Sequence, residues 1–189
     1  MEAFDHHRWR ELSKHKEIRP ENLSTLIKPG SKIFIATACS EPYMLTKELV
    51  HDKYRWTDCE LIHFLTVSDQ KFFSEHYPTR FRHNTLSIIG SDQIRKAINE
   101  GKSDYTPIRS SEIPALLKSR GIVVDVALLQ VSPPDKYGFC SFGINVDINI
   151  AVAQVAKKII AQINPQMPYT RGDSSIWKLS NWRRSSRCI

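Results

Sequence analysis

The sequence predicts an α/β domain with a mostly parallel sheet and helices on both of its faces. Short apolar runs alternate along the chain with amphipathic segments of helical period. The runs are continuous and rich in β-branched residues, which is typical of strands that are buried on both sides. With 189 residues, 41% of them hydrophobic and 25% charged, the chain has the composition of one globular domain and not of a disordered or collagen-like polymer.

The first half of the chain begins its regular pattern at Pro20-Glu21. A short amphipathic helix is predicted at 22–27, and Lys28-Pro29-Gly30 ends it with a turn. Pro42 begins a helix whose apolar residues recur on one face through Val50. The strands predicted in this half are 32–36, 61–66 and 85–89.

The second half repeats the alternation of strands and helices. Ser91 is predicted to cap a helix that ends at Gly101. The run at 122–131 is too rich in β-branched residues to be anything but a central strand. The remaining predicted elements are a helix at 112–119, a helix at 148–158 with Asp147 or Asn149 as its cap, and a strand at 159–163.

We expect a polar N-terminal extension at 1–20, a folded domain at 21–177 and a basic tail at 178–189. The net charge is +7, and residues 171–189 hold five basic and one acidic residue, which accounts for +4 of it. Because most of the charge lies near the end of the chain, it does not favour a nucleic-acid-binding domain.

Several classes of protein are excluded by simple patterns. No apolar run reaches the roughly eighteen residues that cross a bilayer, and the charged start is not a secretory signal, so we expect a cytoplasmic protein without membrane contact. Cys39, Cys59, Cys140 and Cys188 form no C-x-x-C pair and are predicted to be reduced thiols. The histidines lack metal-ligand spacing, so no metal is predicted, and solvated or capping roles are assigned to His6, His7, His63, His76 and His83.

Three loops are candidates for a site, because ligands of open parallel sheets bind beyond the carboxyl ends of the strands. The loop at 37–42 runs from small residues into a helix start. Either its backbone N–H groups hold an oxyanion or phosphate, or it is only a tight connection. The loops at 132–143 and 164–170 are stiffened by prolines, which indicates that their shape is used. Within them, Asp135 either lines a cleft or closes an Asx-turn.

Three ordered motifs resemble a known family. They are DVALLQVSPPDKYG at 125–138, NPQMPYT at 164–170 and AINEGKSDYTP at 97–107. Through these motifs, residues 20–177 resemble the N-terminal domain of the acetyl-CoA hydrolase/transferase family, which includes the 4-hydroxybutyrate and acetate CoA-transferases.

The resemblance implies a reaction on a thioester. In that family a glutamate carboxylate attacks the acyl-CoA carbonyl, and a glutamyl-CoA thioester then passes CoA to a small carboxylate, or water hydrolyses it. Coenzyme A or acyl-CoA is therefore implied as substrate, with no covalently bound cofactor. The residues assigned to the substrate and CoA site are Thr37, Ser40, Glu41, Pro42, Ser132, Pro133, Asp135, Tyr137, Gly138, Ser141, Asn164, Met167 and Pro168.

The sequence departs from the family in three places. Members are more than twice this long and carry the catalytic glutamate in a second domain, so we expect no family nucleophile here. The chain's Glu-Gly pair, Glu100-Gly101, is expected to be an exposed helix end. Thr37 stands where many members have histidine, and a hydroxyl does not replace an imidazole base. The tail after Trp177 diverges and is interpreted as a truncation or reading-frame artefact, with a basic arm for nucleic acid or the CoA phosphates as the alternative.

The sequence therefore predicts the N-terminal half of an acyl-CoA:carboxylate CoA-transferase or acetyl-CoA hydrolase. We expect it to form part of the acyl-CoA site and to be inactive in isolation. The alternative is a non-catalytic fragment that binds CoA or associates with itself. The predicted partners are acyl-CoA, a small carboxylate, and either a second copy of the chain or the missing half.

Overall fold

Seven parallel strands form the main sheet in the computed structural model, which describes residues 14, 16–51, 56–67, 81–86, 92–176 and 187–188. The described residues form nine strands, seven in this sheet and two in a separate pair. In chain order they are β1 (Lys32–Ile35), β2 (Cys59–His63), β3 (Phe81–Leu86), β4 (Asp104–Thr106), β5 (Val126–Val131), β6 (Cys140–Ser141), β7 (Lys158–Ile163), β8 (Ser175–Ile176) and β9 (Arg187–Cys188). Strands β6 and β8 form a separate antiparallel pair. The predicted α/β class and mostly parallel sheet are confirmed.

Four α-helices lie among the described residues. They are α1 (Tyr43–His51), α2 (Asp92–Asn99), α3 (Ile113–Lys118) and α4 (Asn149–Val155), and short 3-10 helices occupy Pro20–Thr25, Ala38–Ser40 and Ser110–Glu112. Each lies within or beside a segment predicted to be helical, apart from Ala38–Ser40 in the loop after β1. Gly101 has φ +69 just after α2, as expected for a residue that ends a helix.

The order of the strands places a crevice at the centre of the sheet. The order is β4-β3-β2-β1-β5-β7-β9, so β1 pairs with β2 on one side and with β5 on the other. The chain builds outward from β1 to β4 and then crosses to β5, which makes β1 and β5 the point where the winding direction reverses. Loops that leave their carboxyl ends diverge, and such a point is where ligands bind in open α/β sheets.

Alternating residues of the central strands face two separate cores. Phe34 and Leu129 point to a core that is shared with α3 and α4. Ile33 and Leu128 point to the opposite core, which contains Leu45 of α1. Each central strand is thus apolar on both faces, which explains the continuous apolar runs in the sequence.

Several predicted boundaries are wrong. The strand predicted at 61–66 is β2, which runs from Cys59 to His63. The strand predicted at 85–89 is β3 and begins earlier, at Phe81, while residues 87–89 lie outside the described residues. Phe81 and His83 face the core and Arg82 faces solvent, an alternation that a search for continuous apolar runs overlooks. The run at 122–131 is strand only from Val126, since the preceding Asp125 accepts the Lys32 N–H and pairs with Lys157.

The helix predicted at 148–158 ends at Val155. Ala156 has ψ 137, and Lys158 begins β7 opposite Val126. Neither Asp147 nor Asn149 caps this helix, because the N-cap position is Ile148 and it makes no side-chain cap.

Short pieces outside the predicted domain bounds also contact the sheet. The Lys16 side chain is buried, Glu17 forms a bridge with Cys188, and Cys188 pairs with Ala161 of β7. The bounds at 21 and 177 stay predictions. Ser91, His6, His7 and His76, to which roles were assigned from the sequence, lie outside the described residues.

All four cysteines lie within the described residues, and none of them forms a disulfide. None of the described helices has the length and apolar character needed to cross a membrane.

A buried histidine pair joins β2 to β3. The Nε2 of His63 lies 3.1 Å from the Nδ1 of His83, and the Nδ1 of His63 lies 3.0 Å from the Thr66 hydroxyl. The rings are stacked, with centroids 5.4 Å apart. The solvated or capping role predicted for these two residues is wrong, because both are strand residues whose side chains lie in the core. Burial lowers the pKa of His63, with a further contribution from His83, and lowers the pKa of His83 to about 4.

We predict that His83→Gln weakens the acid sensitivity of folding. The unfolded chain takes up the proton near the ordinary pKa of 6.5 and the folded chain only near 4, so this histidine contributes stability above pH 6.5 that is lost as the pH falls toward 4. Urea unfolding at pH 7 and pH 5 should show a loss of stability about 2 kcal/mol smaller in the variant than in the wild type. An equal loss in both proteins would contradict the buried neutral pair.

Candidate functional site

Three loops meet at the carboxyl edge of the sheet, as the parallel topology requires. We call residues 37–42 loop 1, residues 132–143 loop 2 and residues 164–170 loop 3. They follow β1, β5 and β7, respectively, which are adjacent strands in the sheet. The three predicted loops are therefore neighbours in space.

Loop 1 contains a non-glycine residue in the left-handed region. Ala38 has φ +48, which is unfavourable for a residue with a Cβ and persists only where neighbours hold it. Its N–H donates to the Leu65 carbonyl at 2.6 Å, and its carbonyl accepts the Glu41 N–H at 3.1 Å. The Ser40 N–H donates to the Thr37 carbonyl at 3.0 Å, which closes the turn.

Two asparagines that follow loop 2 hold the start of loop 1. The Asn145 amide donates to the Thr37 carbonyl at 2.6 Å and to its hydroxyl at 3.0 Å. The Asn149 side chain accepts the Thr37 N–H at 3.3 Å and donates to the Asn145 carbonyl at 3.1 Å. The Thr37 hydroxyl also lies 3.5 Å from Asp147, whose φ is +32. Thr37 is thus fully engaged by the protein, and its side chain orients the loop.

These contacts account for nearly every backbone donor of loop 1. The N–H groups of Thr37, Ala38, Ser40 and Glu41 all have acceptors within the protein. The Cys39 N–H is the exception: the described part of the chain offers it no acceptor. Among the backbone N–H groups of residues 37–41, that of Cys39 is therefore the one available to an oxyanion, and it lies next to the exposed Cys39 thiol.

Asp135 organises the turn in loop 2. One carboxylate oxygen accepts the N–H groups of Tyr137 and Phe139, both at 2.9 Å, and the other accepts the Tyr169 hydroxyl at 3.2 Å. The first contact is an Asx-turn, so this reading of Asp135 is confirmed. Gly138 has φ +87 and completes the turn by donating to the Asp135 carbonyl. Both oxygens of this carboxylate are occupied by donors from its own loops.

The Ser141 hydroxyl joins loop 2 to loop 3. It lies 2.9 Å from the Thr170 hydroxyl and accepts the N–H groups of Gly143 and Thr170. The Ser132 hydroxyl accepts the Ser141 N–H at 2.9 Å and donates to the Pro133 carbonyl. Ser132 and Ser141 are completely buried, which makes them structural parts of the loops.

Loop 3 is closed by Asn164 and packed by Met167. The Asn164 side chain accepts the Gln166 N–H at 2.9 Å, and its carbonyl accepts the Met167 N–H. Met167 is buried against Gly143, where a Cβ would overlap the methionine side chain and lie 3.0 Å from the Pro168 carbonyl. Loops 2 and 3 therefore approach each other as closely as a glycine permits.

The predicted site residues separate by exposure. Thr37, Ser40, Glu41, Pro42, Ser132, Pro133, Ser141 and Met167 are buried, Asp135, Gly138 and Asn164 are half-buried, and Tyr137 and Pro168 are exposed. Most of them therefore shape the loops from within. Glu100 is exposed and forms an ion pair with Lys102, and the hydrogen bond to Lys102 lowers the pKa of its carboxyl group. It lies just before β4, which β3 and β2 separate from β1 and loop 1 in the sheet order.

Sequence reasoning missed the polar residues that hold the loops. These are Gln130, Asn145, Asn149, Gln162 and Thr170. A signal was present for two of them, because a glutamine within an otherwise apolar central strand needs a buried partner. Asn145 and Asn149 were hidden because polar residues before a helix are ordinarily caps.

The family comparison covers nearly the whole chain. Residues 1–179 match the acetyl-CoA hydrolase/transferase N-terminal domain. The chain is 40% identical over 168 residues to the 4-hydroxybutyrate coenzyme A transferase of Clostridium kluyveri, covering 89% of this chain and 39% of that protein. It is also 40% identical over 157 residues to a succinyl-CoA:acetate/propanoyl-CoA:succinate CoA transferase of Fasciola hepatica, covering 79% and 31%.

Solved structures show the same fold at lower identity. RipA from Yersinia pestis superimposes with a TM-score of 0.79 at 24% identity, over 95% of this chain and 43% of that one. A 4-hydroxybutyrate CoA-transferase from Porphyromonas gingivalis superimposes with a TM-score of 0.65 at 21% identity, over 96% and 41%. The chain spans less than half the length of each of these proteins.

We predict that Gly143→Ala is more destabilising than Gly172→Ala. Both glycines have a positive φ, but an added Cβ meets Met167 only at the first, and open space surrounds the second. The difference in the free energy of unfolding should be about 1–3 kcal/mol, the usual cost of overpacking. Urea denaturation measures both variants. Equal losses would show that loops 2 and 3 are not in close contact, and Met167→Ala should rescue Gly143→Ala in part.

Proposed function

Because the chain belongs to the acetyl-CoA hydrolase/transferase family, we propose that its three loops form one wall of an acyl-CoA site in a CoA-transferase. The observation that carries the proposal is loop 1. It lies where the winding of the sheet reverses, and the surrounding asparagines satisfy its polar groups while leaving the Cys39 N–H available. A rigid donor of this kind is suited to the oxyanion that forms when a thioester carbonyl is attacked.

In this proposal the loops bind and orient, and another domain supplies the nucleophile. The family reaction needs a carboxylate whose oxygen attacks the acyl carbon while the carbon–sulfur bond breaks and the CoA thiolate leaves. Asp135 does not fit that role, because Tyr137, Phe139 and Tyr169 already occupy its two oxygens. Glu100 does not fit it either, since it is exposed and paired with Lys102. The similarity to members with a second domain supports this division of work.

The substrates we propose are an acyl-CoA and a small carboxylate acceptor. The relatives named above transfer CoA among 4-hydroxybutyrate, succinate, acetate and propanoate, as their names state. Transfer to a carboxylate is preferred to hydrolysis because these relatives are transferases. Four cysteines without a disulfide among them favour a reducing compartment such as the cytoplasm.

Apolar side chains are exposed along the segments that leave the carboxyl edge of the sheet. Eight large apolar side chains are exposed in the described part of the chain, and six of them follow the carboxyl ends of strands. We call these six the rim: Tyr43, Met44, Val67, Tyr137, Ile144 and Tyr169. Apolar side chains grouped in this way mark an interaction surface. Since the relatives are more than twice as long as the matched part, we propose that the second domain of a CoA-transferase covers the rim, in the same or a separate polypeptide.

We predict that the chain binds acetyl-CoA and does not turn it over alone. Isothermal titration with acetyl-CoA should detect binding, and Cys39→Trp should weaken it at least about tenfold because the indole fills the space beside the donor. Ser119→Trp, an exposed small residue at the end of α3, is the matched control and should bind normally.

Turnover is followed as 4-hydroxybutyryl-CoA and acetate formed from acetyl-CoA and 4-hydroxybutyrate, and free thiol is followed in parallel because only hydrolysis releases it. No turnover is expected from the chain alone, and activity is expected once the C-terminal portion of the Clostridium kluyveri relative is added. Formation of the new thioester, or release of free thiol, by the chain alone would contradict the assignment of the nucleophile to another domain. Absence of acetyl-CoA binding would contradict the site itself.

We predict that the rim drives association in solution. Light scattering after size-exclusion chromatography should show concentration-dependent association, or binding to the added C-terminal portion, that Tyr137→Ser/Ile144→Ser reduces. Val123→Ser is the control, because Val123 is exposed but precedes β5 at the amino edge of the sheet. A wild-type chain that stays monomeric and does not bind the C-terminal portion would contradict the proposal that the rim is covered. A homodimer would show that a second copy of the chain covers it.

A further inference from the structure

Two glutamines under loop 1 form a hydrogen-bonded relay: Gln130 lies in the motif at 125–138, and Gln162 lies outside the family motifs. Gln130 on β5 and Gln162 on β7 are direct partners in the sheet register, on the face that α1 covers. The Gln162 amide donates to the Gln130 side-chain oxygen at 3.1 Å. Gln162 accepts the Met44 N–H at 2.9 Å, and Gln130 donates to the Cys39 carbonyl at 3.4 Å.

The two ends of the relay fix its direction. The Met44 N–H can only donate, so the oxygen of Gln162 must face it and the amide nitrogen must face Gln130. The Cys39 carbonyl can only accept, so Gln130 must turn its nitrogen toward loop 1 and its oxygen toward Gln162. One arrangement of the two amides satisfies all three contacts. The start of α1 therefore determines which group Gln130 presents to loop 1.

We propose that Gln130 and Gln162 are positioning residues that hold the Cys39 peptide groups in the orientation used by the acyl-CoA site. Asn145 and Asn149 hold Thr37 from the side of α4, and the relay holds Cys39 from the side of α1. Loop 1 is thereby clamped on both sides of the strained Ala38. This inference rests on the proposed function for its purpose, while the clamp itself is testable without any ligand.

The test uses Cys39 as a reporter. Its thiol is exposed, whereas Cys59, Cys140 and Cys188 are buried, and burial raises the pKa of the Cys59 and Cys140 thiols. Labelling of the folded chain with a thiol reagent such as DTNB therefore reports on loop 1. Hydrogen exchange of the Met44 N–H, followed by NMR, reports on the other end of the relay.

The decisive variant is Gln162→Glu. A carboxylate still accepts the Met44 N–H but cannot donate to Gln130, whose amide must then turn and present its oxygen to the Cys39 carbonyl. We expect Met44 exchange to stay within about twofold of wild type while the Cys39 labelling rate changes by at least about threefold, as for loss of one hydrogen bond. Gln162→Leu should change both readouts, and Gln130→Leu should change the Cys39 readout.

The control is Thr106→Val, which removes the hydrogen bond from the Thr106 hydroxyl to Asn84 on the far strands and should change neither readout. Each variant is compared with wild type by thermal unfolding, so that labelling through global opening is recognised. Unchanged Cys39 labelling in both Gln162→Glu and Gln130→Leu would overturn the relay.

Titration with acetyl-CoA separates this inference from the proposed function. Weaker acetyl-CoA binding by Gln162→Glu, together with its altered labelling, is the result expected if the relay positions the site. Altered labelling with wild-type affinity would overturn the positioning role and leave the site intact. Wild-type protein that fails to bind acetyl-CoA would refute the proposed function, while the labelling pattern would still decide whether the clamp exists.

Discussion

The parallel pairing of β1 with both β2 and β5 is the constraint on which the rest of the structure depends. It places β1 at the centre of the sheet. The strands before α3 extend from β1 toward one edge of the sheet, and those after α3 extend toward the other edge. Two cores are then needed, since a strand with neighbours on both edges is covered on both faces. It also opens the crevice at the carboxyl edge, and every candidate site residue lies in a loop that leaves this edge or begins the next helix.

The loops are held by the need to satisfy buried polar groups. Loop 1 enters the crevice with a left-handed alanine, and its Thr37 and Cys39 carbonyls accept hydrogen bonds from side-chain amides of two other segments. Loop 2 is in contact with both of its neighbours, through Ser141 toward loop 3 and through the following Asn145 toward loop 1. The result is a site whose walls consist mostly of buried, internally bonded residues, and a single unsatisfied N–H in loop 1 among the described contacts.

Much of this could be predicted from local signals, and the failures have specific causes. The central strands and the α/β class followed from apolar runs, because burial on both faces leaves no alternation. The prediction placed β3 too late in the chain, because this strand lies near the edge of the sheet and its buried and exposed residues alternate. The same alternation hid the burial of His83. Asn149 was read as a possible helix cap. Asn145, Gln130 and Gln162 were passed over because their partners lie 32 or more residues away in the chain.

The sequence by itself determined the fold class, the family and the identity of the three loops, since these depend on residue patterns that are continuous along the chain. Tertiary structure alone decided which donors the loops leave available, that Asp135 is occupied by its own turn, and that two glutamines link α1 to loop 1. Those properties depend on which polar groups meet across the crevice. Hydrogen bonds between distant segments are set by strand order and register, and neither is written in any local stretch of sequence.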